Sequence, residues 1–403
     1  MGVVAATNSP SGAAEMNSST RIALCAALAF AVVTGPAASA FADAGSPAAG
    51  TSARATQGAG SLNSTALRQA LAGLPDDDAT AAVVRVAGQD GTWRGVGGVH
   101  DTETGREAIA DGRFRAGSVT KVFTAAVVLQ LVAEHRVGLD RPVQDYLKGL
   151  FPADRPPITV AQLLNHTSGI QPADGAGDSF ADQYAHRFDS TTPRQLVASA
   201  LSKPLEFTPG TQQDYLNINY TVLGLLIEKV TGTSYEHQVQ RRILDPLHLR
   251  DTYFPGDDIR IRGAHNHGYQ ATADGLVDVT EWNASAGWAA GNIISSTADL
   301  ERFTTALFGG KIVPRAQFRH MLEVPAGIPG AVQTMGMSRM VLPDGTVTYG
   351  KTGERYGYAT GIGAILDDHG RIRRTLVYSV NSTDAKSKNG NARVLPIVQA
   401  WMS

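Results

Sequence analysis

The chain has 403 residues, 43% of them hydrophobic and 18% charged, with a formal net charge of −2. That balance suits a globular protein and carries no basic excess, which argues against a nucleic-acid or membrane-surface partner. The only cysteine, Cys25, rules out a disulfide framework and a thiolate metal site. Residues 1–42 read as a secretory signal peptide: an apolar run (22–33) precedes small-residue cleavage sites at 38–40 and 40–42, with Met16 as an alternative start. Cys25 lies inside that run behind Leu24, not behind a small residue, so no lipid anchor is expected and the protein is expected to be secreted, without a membrane anchor. Residues 43–62, rich in Ala, Gly, Ser and Thr, read as a disordered lead to one domain over 63–403.

Within that domain a short helix is expected at 64–72, then a hairpin of strands 81–87 and 92–99 turning at Gln89-Asp90-Gly91. A third short strand, 113–116, delivers the chain to Ser118. Residues 120–285 are mostly helical in pattern, and strands return at 346–349, 359–366 and 371–380, before a terminal amphipathic helix at 392–402. The expected fold class is α/β (α+β): an antiparallel sheet built from both chain ends (about 63–120 and 290–403) with flanking helices, around a mainly helical insertion (about 121–289).

Three stretches carry chemistry. Ser118 and Lys121 stand three apart where a small-residue turn enters the apolar run 122–137, which has no Gly or Pro before Gly138. On a helix these two side chains share a face, and a lysine whose pKa is lowered by an apolar setting can take the serine's proton. The second stretch, 207–232, holds Tyr215 and Asn217 in a loop ahead of a helix expected at 221–230. A phenol there can relay a proton and an amide can orient a substrate amide or the lysine. The third, 348–364, contains Lys351-Thr352-Gly353 closing a strand, where a cation and a hydroxyl on a sheet edge can hold an anionic, extended substrate. Each has a plainer structural alternative: Ser118 capping a helix, Tyr215 packing, Asn217 capping a turn, Lys351 on a solvated strand edge.

S-x-x-K, Y-x-N and K-T-G in this order resemble the penicilloyl-serine transferases, closest to the serine-type D-Ala-D-Ala carboxypeptidase and class C β-lactamase branch and to secreted actinobacterial DD-peptidases. Residues 158–170 (ITVAQLLNHTSGI) and 289–303 (AAGNIISSTADLERF) support the resemblance. It implies Ser118 as nucleophile, Lys121 and Tyr215 as the acid–base pair, Asn217 on the substrate amide, and Lys351, Thr352 and Gly353 along the substrate strand. It also implies an oxyanion hole from the backbone N–H groups of Ser118 and Glu354, with Arg339 as the candidate for binding a substrate carboxylate. Trp288 either lines the cleft or fills core. The chain departs from the pattern at Leu216, where the branch usually has serine, at Lys351, where many carboxypeptidases have histidine, and at Glu354. A carboxylate there opposes a substrate that ends in one.

The expected function is a serine D-Ala-D-Ala carboxypeptidase working through an acyl-enzyme on peptides ending in D-amino acids, or on β-lactams. The alternatives are a D-amino-acid-specific peptidase or esterase, to which Glu354 points because it could attract a substrate amine, a class C β-lactamase, and a non-catalytic peptidoglycan-binding protein. No cofactor is expected, and a monomer is. His166 reads as a structural hydrogen-bonder. His265 and His267 lack an evident third ligand, so no metal is expected. No G-x-S-x-G is present, which argues against an α/β-hydrolase.

Overall fold

The computed structural model describes residues 62–387 and 390–403, so the expected signal peptide and nearly all of the lead lie outside the described residues. The chain opens with α1 (Ser64–Leu71), capped by the Asn63 side chain accepting from the Ala66 N–H at 3.0 Å. It continues into the hairpin β1 (Ala79–Gly88) and β2 (Gly91–Gly98), then β3 (Phe114–Arg115). A 3-10 turn, Gly117–Val119, leads into α2 (Thr120–Ala133). Apolar on nearly every side, α2 buries its residues from Thr120 to Leu129, as a helix of that composition must.

There follow α3 (Val160–Leu164), α4 (Phe180–Ala185), α5 (Pro193–Leu201), α6 (Asn217–Thr231) and α7 (Tyr235–Val239); α6 and α7 pack against α2, and α3 and α5 against α6. Capping boxes at Thr159 and Thr192 start α3 and α5, and α6 stops at Gly232 in the left-handed region (φ 74°). A hairpin, β4 (Tyr269–Thr272) and β5 (Gly275–Asp278), precedes the one-turn α8 (Trp288–Gly291), β6 (Ile294–Ser295), α9 (Thr297–Phe308) and α10 (Arg315–Leu322). The chain finishes with β7 (Ser338–Val341), β8 (Val347–Arg355), β9 (Tyr358–Leu366), β10 (Ile372–Ser382) and α11 (Val394–Met402).

The main sheet runs β2-β1-β10-β9-β8-β7, antiparallel throughout, so strands from both chain ends meet at the β1–β10 pair. One face packs on α1 and α11 through Leu67, Leu376, Tyr378 and Trp401; the other faces the larger core around α2. This is the mixed antiparallel architecture the sequence implies. Three details differ. The mainly helical stretch contains the β4–β5 hairpin, whose four-residue strands carry no apolar alternation to reveal it. α6 begins at Asn217, a turn before 221, because Ile218, Asn219 and Tyr220 are buried helical residues. K-T-G does not close a strand: β8 runs on to Arg355, fully paired with β9 from Thr348↔Ile365 to Arg355↔Tyr358.

Candidate active site

Ser118 stands in the 3-10 turn ahead of α2, where the chain must pass close under β8. Gly117 adopts φ +52°, and a methyl there would lie 2.7 Å from the Glu354 amide nitrogen, so only glycine fits. A methyl on Gly353 would lie 2.9 Å from the Ser118 amide nitrogen and would also strike the Ala116 carbonyl. The two N–H groups expected to form an oxyanion hole therefore border the same small space. Thr360 ties the turn to the strand, its hydroxyl reaching Ala116 O at 3.0 Å and Gly353 O at 3.1 Å.

Lys121, fully buried one turn further on, donates to Ser118 Oγ at 3.2 Å, Asn217 Oδ1 at 2.7 Å and Ala290 O at 2.8 Å. Burial, reinforced by the charge of Lys351, holds its pKa well below the usual lysine range. The Tyr215 ring lies 4.9 Å from Lys121 Nζ and 4.6 Å from Lys351 Nζ. The Tyr215 hydroxyl is buried without a hydrogen-bond partner of normal geometry among the described residues. Burial raises its pKa more than the nearby Ser118 lowers it, so the phenol keeps its proton at neutral pH. A lysine whose pKa is lowered by burial, a serine hydroxyl and a phenol thus face one another, a set that can pass a proton from nucleophile to leaving group.

The loop bearing Tyr215 rests on 165–168. His166, buried and held neutral by burial, accepts from the Leu216 N–H at 3.2 Å and lies 4.5 Å from the Tyr215 ring. Ser168 donates to Asn219 Oδ1 at 2.6 Å. Both are supports under the site, as expected for His166.

On the strand side, β7 pairs only with 347–350, leaving the outer edge of 351–355 open beside Ser118. Lys351 is buried, with Nζ donating to Thr352 O at 2.9 Å, and burial lowers its pKa to about 8 while Glu354 pulls it upward. Register puts Lys351, Gly353 and Arg355 on the α2 side, and Thr352 and Glu354 on the side of Ala359 and Gly361. Even so, the Glu354 charge raises the pKa of both Tyr215 and Lys351. Glu354 makes no ion pair among the described residues, since Arg355 is turned inward onto Gly291 O at 2.9 and 3.1 Å.

Two expected residues stand apart from this group. Arg339, on β7 opposite Tyr349, lines a separate cleft of about 450 Å³ with Arg319, Leu322, Glu323 and Val324. Trp288 fills core: it is 8% exposed and its indole N–H donates to Glu236 at 2.6 Å. His267 pairs with Asp278 at 2.7 Å and His265 with Gly263 O at 2.7 Å, and among the described residues no three His, Cys, Asp or Glu side chains converge to hold a metal ion. Sequence reasoning missed the Ala290 carbonyl on Lys121, because backbone acceptors leave no mark in residue identity.

A beta-lactamase family profile matches residues 67–399. Penicillin-binding protein 4 of Amycolatopsis lactamdurans is 32% identical over 222 residues, 54% of this chain and 56% of that protein. Esterase EstB of Burkholderia gladioli is 35% identical over 174 residues, 40% of this chain and 43% of that protein. The chain spans about half the length of these curated relatives. Among solved structures, a D-stereospecific amidohydrolase from Streptomyces superposes with a TM-score of 0.70 at 32% identity, covering 84% of this chain and 98% of that one.

Proposed function

The chain belongs to the beta-lactamase family of serine hydrolases, and from that premise we propose that it is an exported, monomeric amidohydrolase cleaving amide or ester bonds of D-amino acids whose amine is free. Ser118 attacks the carbonyl as Lys121 takes its proton, and the Ser118 and Glu354 N–H groups hold the oxyanion; Tyr215 protonates the leaving amine or alcohol as its bond to the carbonyl carbon breaks and is reprotonated by Lys121, and water then hydrolyses the acyl-Ser118 ester through the same relay. Asn217 holds Lys121 and the substrate amide, and Lys351, Thr352 and Gly353 line the strand along which the substrate lies.

One observation carries the choice of substrate: Glu354, a half-buried carboxylate without an ion pair among the described residues, sits on the open edge of β8 directly after Gly353, with its own amide bordering the Ser118 turn. A carboxylate in that place attracts a substrate ammonium and repels a substrate carboxylate. The likeness to a D-stereospecific amidohydrolase supports the same reading. The test compares D-alaninamide with its N-acetyl form, in which the amine is neutral. Acetylation should lower kcat/KM by about tenfold or more, near 1.4 kcal/mol of lost attraction. Equal rates on the two amides would sink the proposal.

A second reading, D-Ala-D-Ala carboxypeptidase, is favoured by the likeness to penicillin-binding protein 4. Diacetyl-Lys-D-Ala-D-Ala as the better substrate would select it. Nitrocefin turnover would select a β-lactamase, and acylation without turnover on any of these compounds would select a binding protein.

A further inference from the structure

α8 presents three successive carbonyls to three different side chains. Ala289 O accepts from Thr124 Oγ1 at 2.7 Å, Ala290 O from Lys121 Nζ at 2.8 Å, and Gly291 O from the Arg355 guanidinium at 2.9 and 3.1 Å. The segment starts under strain: Trp288 has φ 27° and ψ −124°, a conformation a bulky residue holds only when its surroundings impose it. Those surroundings are visible. The indole N–H donates to Glu236 at 2.6 Å, the ring meets Tyr235 edge-on at 5.3 Å, and it lies over Gly224, where a methyl would come within 2.5 Å of it. At the other end the half-buried Arg355 grips Gly291.

We propose that Glu236 and Arg355 are positioning residues that pin the two ends of α8 and thereby aim the Ala290 carbonyl at Lys121. Neither touches the reacting atoms. Glu236 acts through Trp288, and Arg355 through Gly291, on the one carbonyl that fixes the lysine's third hydrogen bond. Without both clamps the strained turn relaxes, the carbonyl swings away, and Lys121 loses its fixed orientation toward Ser118. The inference rests on Lys121 being the proton acceptor of the proposed reaction.

The experiment uses the full chain and p-nitrophenyl acetate, with kcat, KM and melting temperature measured for Glu236→Ala, Glu236→Gln, Trp288→Phe and Lys121→Ala. Gln still accepts the indole hydrogen bond, whereas Phe keeps a ring but removes the donor. Glu236→Ala and Trp288→Phe should each lower kcat by about tenfold, since small misplacements of a reacting group carry losses of that order or more. KM should stay within about twofold, and Glu236→Gln should recover most of the loss. An unchanged kcat in Glu236→Ala and Trp288→Phe, or a Gln variant as impaired as the Ala variant, overturns the clamp. Should Glu236→Ala fail to fold, Trp288→Phe carries the same prediction. Lys121→Ala separates the two levels: wild-type activity there defeats the proton-acceptor reading, whereas a loss there with intact Glu236 and Trp288 variants defeats only the clamp.

Discussion

The two sides of the cleft are built on opposite plans. The helical side supplies side chains: Ser118 and Lys121 at the start of α2, and Tyr215 and Asn217 at the start of α6, with Asn217 and Ser118 joined to Lys121 by hydrogen bonds of 2.7 and 3.2 Å. The strand side supplies mainly backbone: the free edge of 351–355, an amide beside Ser118, and glycines that let two chains approach. Residue identity therefore governs one side and main-chain geometry the other. Substitutions should fail differently on each, by lost proton transfer on the helices and by displaced donors on the strand.

The largest effects are expected on the helical side. Lys121→Ala or Tyr215→Phe should each lower kcat by about 10²–10⁴. Because the two groups belong to one proton network, the double variant should be little worse than either. A loss equal to the product of the singles would give them separate roles. Next comes the strand side, where Gly353→Ala forces a methyl against Ala116 O and to 2.9 Å from Ser118 N. Spreading the turn from β8 should cost about 10² in kcat, with Lys121 chemistry otherwise intact. An active Gly353→Ala enzyme would show that the close approach of turn and strand is dispensable.

How much of this was legible follows from the same division. S-x-x-K, Y-x-N and K-T-G could be read because their chemistry resides in side chains at fixed spacing. The Ala290 carbonyl could not, nor could the clamp of Trp288 on Glu236, since chain positions 52 residues apart meet only through tertiary packing. The start of α6 was misplaced because Asn217 and Asn219 look like loop residues. In the fold they serve Lys121 and Ser168 from helical positions. The sheet was visible from its apolar strands, whereas β4 and β5 were not, being four residues each without apolar alternation.

Smaller effects probe charge on the strand side. Glu354→Thr should raise activity on carboxylate-bearing peptides relative to free-amine amides by about tenfold, near 1.4 kcal/mol of relieved repulsion. The change should shrink in high salt if the side chain is solvated. An unmoved ratio would mean that Glu354 does not reach the substrate. The smallest effect is on pH. Lys351 is charged below its pKa of about 8, so kcat/KM for an anionic substrate should fall as pH rises through that value. Glu354 raises that pKa, so its removal should move the alkaline limb to lower pH, and a limb that stays in place or moves up would contradict the assignment.

The central claim is that Ser118 is the nucleophile of an acyl-enzyme. A labelled penicillin, quenched and mapped by peptide mass spectrometry, tests it directly in the wild type and in Ser118→Ala. One adduct on the peptide carrying Ser118, absent from the alanine variant, is the result this structure predicts. A label that survives in Ser118→Ala, or that maps to the buried Ser168, would contradict it.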